Sequence, residues 1–153
     1  MIHYCTVFRT DTGEIVSSSN FSISDDEEAI ANNYAVRVRM FGETGYGYVP
    51  VEANTETHYV VILDGVPVIS DRPSIPYQVD RLTLTAGNGD YITITGLHNP
   101  CELIFDDPDP MVQTWTAVVE DGGFEFEADN PGVYTIEIKR FPFISAKIQV
   151  TAT

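Results

Sequence analysis

GVYTIEIK, residues 132–139, is the stretch that decides the fold class of this chain. Its apolar side chains fall at every second position, as in a strand that buries one face. Six more short β runs accompany it, at residues 79–85, 90–95, 101–105, 114–119, 123–128 and 144–152, with Gly, Asn, Asp and Pro between them. Seven such runs in about 75 residues predict an antiparallel, immunoglobulin-like β-sandwich over residues 77–153.

The first 76 residues predict a smaller β-rich region, so the whole chain is expected to be all-β. Two β runs, Tyr4–Thr10 and Ile15–Ile23, flank a turn and predict a hairpin. Ser24 precedes four acidic residues, which is the composition of a helix N-terminus, and one or two helical turns are expected there. The alternation over Tyr34–Met40 then predicts a strand with charge on one face.

A second hairpin is expected around Asp64-Gly65, a two-residue turn signal between the apolar runs 58–63 and 66–69. Its return strand contains Pro67, which lacks an N–H group, so that strand is expected at a sheet edge. Residues 71–76 contain two prolines and predict an extended linker. The apolar segment 42–76 is too irregular for a core of its own, so it is expected to join a neighbouring chain or to pack on the N-terminal hairpin.

The charge of the chain excludes some classes of partner. It has 23 acidic residues against 8 Lys and Arg, a formal net charge of -15. Such a surface repels phosphate backbones and anionic lipid, so neither nucleic-acid binding nor membrane insertion is expected. The N-terminus lacks the pattern of a signal peptide, so synthesis in the cytoplasm is expected, with Cys5 and Cys101 as free thiols.

The sequence offers no constellation typical of catalysis. His3, His58 and His98 stand singly, without the spacing of a metal site, and Ser17–Ser19 lack the glycines of a nucleophile elbow. We therefore expect no enzymatic activity, no cofactor and no catalytic metal.

Four aromatic residues are candidates for contact with a sugar or peptide: Tyr46, Tyr48, Tyr59 and Trp115. Rigid amphipathic rings make good contact surfaces for such ligands. The alternative is that these rings pack in the core or in cross-strand pairs, as aromatic residues of β-proteins commonly do.

The densest group of carboxylates suggests one further candidate site. Asp106, Asp107 and Asp109 place hard oxygen ligands at short spacing, which is compatible with calcium. The glycine and distal glutamate of an EF-hand are missing, and the alternative is a solvated loop between strands.

Several short motifs recur in one order along the chain. They are DTGEIV at 11–16, NTETHYV at 54–60, DGVPV at 64–68 with Arg72-Pro73, NPGVY at 130–134 and FPF at 141–143. Together they resemble small virion proteins of tailed bacteriophages, of the tail-fibre or tail-tip accessory type. The resemblance implies a non-enzymatic structural protein located in the virion tail, as a short fibre or tail-tip component.

The same resemblance implies partners. The N-terminal part is expected to dock on other tail proteins and to form a homo-oligomer, with a trimer favoured. The immunoglobulin-like domain is expected to project and to contact a glycan or protein of the host surface. Two alternatives stay open, a carbohydrate- or surface-binding module and a capsid decoration protein.

Overall fold

The computed structural model describes residues 1–23 and 25–153, which divide into two units, Met1–Arg72 and Pro73–Thr153. The boundary lies four residues before the one expected at residue 76. The residues expected to form a linker belong partly to the second unit, because Ser74 bridges Ile144 and Ile75 is buried among the core residues of that unit. Burial of the Ile75 side chain explains why this segment is ordered against the sandwich.

The first unit has three layers. Its elements are β1 (Ile2–Arg9), β2 (Ile15–Ser22), α1 (Glu27–Arg39), β3 (Tyr46–Val49), β4 (His58–Leu63) and β5 (Val66–Asp71). The antiparallel sheet has the order β2-β1-β3, and β4 and β5 form a separate hairpin. Helix α1 packs on one face of the sheet, around Val7 and Tyr34, and the hairpin packs on the other, around Phe8 and Val60. The alternation of Val7 and Phe8 on β1 thus supplies both layers.

Helix α1 corrects the expectation of a short helix followed by a strand over Tyr34–Met40. Asp26 caps the helix by accepting a hydrogen bond from the Glu28 N–H at 3.0 Å, whereas the expected cap, Ser24, lies outside the described residues. Tyr34 and Val38 are one helical turn apart and face the sheet, so the sequence that alternates with period two also satisfies a helical period. Acidic residues in the first turn and arginines in the last favour the helix through its dipole.

The second hairpin confirms its prediction. Asp64 and Gly65 have φ angles of 52° and 81°, as a two-residue turn with positive φ at both central residues requires. Pro67 lies on β5, an edge strand of this two-stranded sheet. Val60 and Ile69 pack on the N-terminal sheet, so for this part of the segment 42–76 the structure shows packing within the chain.

The second unit is an immunoglobulin-like sandwich. Its strands are β6 (Gln78–Val79), β7 (Thr83–Leu84), β8 (Tyr91–Thr95), β9 (Cys101–Asp106), β10 (Trp115–Val119), β11 (Gly123–Glu127), β12 (Gly132–Lys139) and β13 (Ala146–Ala152). One sheet has the order β10-β9-β12-β13-β7 and the other the order β11-β8-β6. The predicted first run is divided, since β6 pairs with β8 and β7 runs parallel to β13 in the opposite sheet. The Tyr134 hydroxyl donates to the Asn130 carbonyl at 2.8 Å, the tyrosine corner of immunoglobulin-like folds.

Both cysteines are buried free thiols, as expected. Burial raises the pKa of Cys5 and of Cys101, which keeps both groups protonated and poorly nucleophilic. Within the described ranges no helix has the length and apolar character needed to cross a membrane.

Candidate docking groove beside strand β3

The four aromatic candidates do not form one site. Tyr46 and Tyr48 lie two residues apart on β3 and line the same groove in the first unit. Tyr59 lies on β4 and lines a separate depression near the β1–β2 turn. Trp115 belongs to β10 in the second unit. The groove at β3 is therefore the place where sequence candidates and a concave surface coincide.

This groove has a volume of about 620 Å³ and lies between α1, β3 and the β4–β5 hairpin. The residues that form it come from four segments: Phe8, Ala31, Ala35, Val38, Arg39, Gly42, Glu43, Tyr46, Gly47, Tyr48, Ile62 and Pro67. Most of these side chains are apolar or small, and the lining includes only two charged residues. The groove is thus suited to a largely apolar occupant.

The base of the groove is the open edge of β3. Because the Thr10 N–H donates to the Gly45 carbonyl at 2.9 Å, the pairing pattern directs the backbone groups of Gly47 and Val49 toward β1. The N–H and C=O groups of the intervening residues, Tyr46 and Tyr48, point away from β1. Since β3 is an end strand of its sheet, these groups are available to a further strand.

The helix forms one wall of the groove. Ala31, Ala35, Val38 and Arg39 recur at helical spacing and face it, while Tyr34 faces the sheet. Two exposed alanines leave room there for larger side chains of an occupant. The strand expected from the sequence over Tyr34–Met40 concealed this stripe, although its helical spacing was present as a signal.

The hairpin forms the opposite wall. Ile62 and Pro67 pair with each other across the hairpin, on the same face as Val60 and Ile69, which pack on the sheet. Ile62 is nevertheless 52% exposed and lines the groove. The hairpin therefore extends past the edge of β3, and an added strand would lie between this overhang and the helix.

Aromatic stacking fixes the position of β3. Tyr48 stacks on Tyr34 with ring centroids 4.5 Å apart, and Tyr34 meets the edge of Phe21 at 5.2 Å. Burial raises the pKa of the Tyr34 hydroxyl, so this ring stays neutral. The Tyr48 ring is 40% exposed and contributes one wetted surface to the groove. These contacts make Tyr48 both a packing residue and a candidate contact residue.

Arg39 is electrostatically distinct. The described residues contain seven other Lys and Arg side chains, and each of them has a hydrogen bond or an ion pair: Arg9, Arg37, Arg72, Arg81, Lys139, Arg140 and Lys147. Arg39 has none among these residues and borders the groove. In a chain of net charge -15, an unpaired guanidinium at a concave surface favours a carboxylate or carbonyl of an occupant.

The three aspartates of the β9–β10 loop bond within their own loop. Asp107 accepts from the Asp109 N–H at 2.8 Å, Asp109 accepts from the Met111 N–H at 2.9 Å, and Asp106 accepts from the Thr114 hydroxyl at 2.9 Å. No group of three His, Cys, Asp or Glu side chains able to hold a metal ion occurs in the described part of the chain. The geometry favours the alternative of a solvated loop that is shaped by its carboxylates.

Trp115 and the histidines have packing roles in the structure. Trp115 stacks on Phe105 with centroids 3.7 Å apart and covers this core residue, while 44% of its surface stays exposed. His3 stacks on Phe21, and His58 Nδ1 accepts from the Asn54 N–H at 3.0 Å.

No family model and no curated protein matches the chain. Two solved structures of glycosyl hydrolase family 2 members from Bacteroides cellulosilyticus are similar over 98% and 97% of this chain, each at 13% identity, with TM-scores of 0.34 and 0.33. The chain spans 21% and 23% of the length of those chains. The function is therefore argued from the geometry of the chain itself.

Proposed function

We propose that this chain is a non-enzymatic structural protein that docks through its first unit and displays its immunoglobulin-like unit. The observation that supports the proposal most is the open edge of β3, which has a wall on each side but no strand beside it. Proteins usually shorten, charge or cover such an edge, because it offers unpaired backbone groups to other chains. A walled edge is the geometry of strand addition, in which backbone hydrogen bonds supply affinity and side-chain pockets supply specificity.

The tail of a bacteriophage particle is the location we propose, on the basis of the sequence resemblance. A docking unit joined to an immunoglobulin-like unit suits a tail-fibre or tail-tip accessory protein, whose first unit binds other tail proteins and whose second unit contacts the host surface. The acidic surface supports this proposal, since like charges keep displayed copies soluble and separate.

Localisation on the particle tests this proposal. Purified virions of the phage that encodes the chain are analysed by mass spectrometry and labelled with an antibody against the second unit. We expect the chain in the particles and the label on the tail. Label confined to the head would replace the tail proposal with capsid decoration. Absence of the chain from purified particles would contradict a virion role.

A carbohydrate-binding module is the second candidate, because Trp115 and Tyr48 expose 44% and 40% of their surfaces. A ring that stacks on a sugar needs one free face, and each of these rings uses one face for packing. A glycan array with the intact chain decides whether either ring is used. Saturable binding that Trp115→Ala abolishes and Trp115→Phe retains would favour this candidate. Binding to no glycan would leave the docking role as the better account.

A further inference from the structure

The free edge of β3 is complementary to itself. Two identical strands that pair antiparallel are related by a two-fold axis, and with this axis at Gly47 the Tyr46 of one copy lies opposite the Tyr48 of the other. These are the two residues whose N–H and C=O groups point away from β1. We propose that two copies of this chain associate by pairing their β3 strands, so that their two sheets become one continuous sheet. This inference does not depend on a role in a virion.

The walls of the groove fit this arrangement. In an antiparallel pair the segment that precedes β3 in one copy lies beside the segment that follows β3 in the other. The hairpin overhang, with Ile62 and the exposed Leu63 and Val66 beside it, would then approach the exposed Val51 of the other copy. The two-fold axis repeats this apolar contact, and the two overhangs stay apart because they lie at opposite ends of the paired strands.

Charge selects the same partner. Two chains of net charge -15 repel each other, so a stable contact requires a surface on which the local charge is balanced. The groove carries one cation and one anion, Arg39 and Glu43. Glu52 is exposed, has no partner among the described residues, and follows β3. Antiparallel pairing brings Arg39 of each copy toward Glu52 of the other, so one contact supplies two ion pairs.

A second copy is favoured over an unrelated extended segment because the complementary features occur on both sides of β3. The cation and the apolar overhang lie at the end where β3 begins, and Glu52 and Val51 lie at the end where it finishes. Only a two-fold partner necessarily presents the second set to the first. The contact closes at two copies, in contrast to the trimer that the sequence resemblance implies.

The mass of the intact chain in solution is the first test. Sedimentation equilibrium should give a species of twice the 17.0 kDa chain mass at micromolar to millimolar concentrations. We expect dimerisation to weaken as salt screens the two ion pairs. A chain that stays monomeric would overturn the inference and leave the edge to a segment of a different protein. A trimer would overturn it as well.

A matched pair of variants isolates the backbone groups. Tyr48→Ala and Tyr48→Pro both lose the ring, and only Tyr48→Pro also loses the N–H that points toward the other copy. Because the pairing to β1 does not use this N–H, circular dichroism should show both variants folded. The axis repeats each contact, so we expect dimer affinity about tenfold or more weaker for Tyr48→Pro than for Tyr48→Ala. Equal affinity of the two variants would contradict pairing at this edge.

Charge reversal tests the arrangement independently, without any change in β3. Arg39→Glu and Glu52→Arg should each weaken the dimer by about tenfold, and the double variant should recover most of the loss. Single variants that dimerise as well as the unchanged chain, or a double variant without recovery, would refute the two-fold arrangement.

Discussion

The two units of the chain bury their apolar side chains differently. In the sandwich, two sheets enclose one core, and Ile92, Leu103 and Ile136 have no exposed surface. In the first unit the sheet is shared between two smaller clusters, one under the helix and one under the hairpin. Ile62 and Met40 remain largely exposed there. The sandwich therefore has a core complete in itself, whereas the first unit retains apolar surface and a strand edge for association.

This contrast separates stability from function within one chain. Burial of apolar area is the main stabilising term in folding, so the side chains that stabilise the sandwich are inaccessible to a partner. The side chains of the β3 groove contribute less to folding and are free to contribute to binding. Substitutions in the two units should accordingly affect different measurements.

The largest expected effect is a cavity in the sandwich core. Ile136→Ala removes part of a side chain that is 0% exposed, and we expect a loss of about 2–5 kcal/mol in the free energy of unfolding. Urea unfolding followed by the fluorescence of Trp115, the one tryptophan of the chain and a residue of the same unit, measures this loss.

The control is the same substitution in the groove. Ile62→Ala should change the unfolding of the first unit by less than about 0.5 kcal/mol at concentrations where the chain is monomeric, followed by the near-ultraviolet circular dichroism of the tyrosines. An equal loss for the two substitutions would break the proposed contrast, because it would show that the groove side chain is as important for folding as the core side chain.

A smaller effect is expected from crowding at β3. A Cβ atom at Gly47 would lie 2.8 Å from Cζ of Phe8, a buried ring that has little room to move. Gly47→Ala should therefore destabilise the first unit by about 1–3 kcal/mol. Thermal unfolding monitored by tyrosine circular dichroism gives the measurement.

Gly123→Ala on β11 is the matched control for crowding in a strand. Its added Cβ would meet no atom closer than 3.7 Å, so we expect a change near zero. If Gly47→Ala were equally harmless, Phe8 could yield, and the wall of the groove would be softer than its packing indicates.

The sequence predicted the sandwich better than the first unit, for a physical reason. Strands such as GVYTIEIK bury one face in an enclosed core, and this leaves a clear period of two in the sequence. The tight turn at Asp64-Gly65 was equally local and equally predictable. Around Tyr34–Met40 the alternating sequence is compatible with both a strand and a helix, and packing on the sheet, which the sequence does not display, decides for the helix.

The groove could be predicted only in part. Tyr46 and Tyr48 were identified as contact candidates from their residue type and spacing. The open edge itself depends on the order β2-β1-β3, which is set by long-range contacts and not by residues near β3. Arg39 was missed because its importance arises from the absence of a partner among the described residues, a property that only the folded arrangement reveals.

A moderate effect is expected at the tyrosine corner of the sandwich. Tyr134→Phe removes the hydroxyl that donates to the Asn130 carbonyl, and we expect the second unit to lose about 1 kcal/mol of stability. Urea unfolding followed by Trp115 fluorescence should show the loss. Tyr91→Phe, at an exposed position in the same unit, should leave the unfolding midpoint unchanged. Equal midpoints for the two variants would indicate that water replaces the corner hydrogen bond at no cost.

The smallest effect concerns acid, and it separates the units by their carboxylates. In the second unit the hydrogen bond from the Thr85 N–H at 2.8 Å, together with Arg81, holds the pKa of Asp90 below its usual value. In the first unit Arg9 does the same for Asp11. A folded-state pKa below the unfolded one stabilises the fold above the unfolded pKa, and this stabilisation is lost as the pH falls through the folded pKa.

Asp90→Asn should therefore destabilise the sandwich at neutral pH, and the difference from the unchanged chain should shrink below about pH 4. Asp11→Asn should have this effect on the first unit alone. Urea midpoints of the Trp115 and tyrosine signals, measured at a series of pH values, test both expectations. A difference for Asp90→Asn that stays constant with pH would show that the substitution acts through the shape of the loop and not through the charge of the carboxylate.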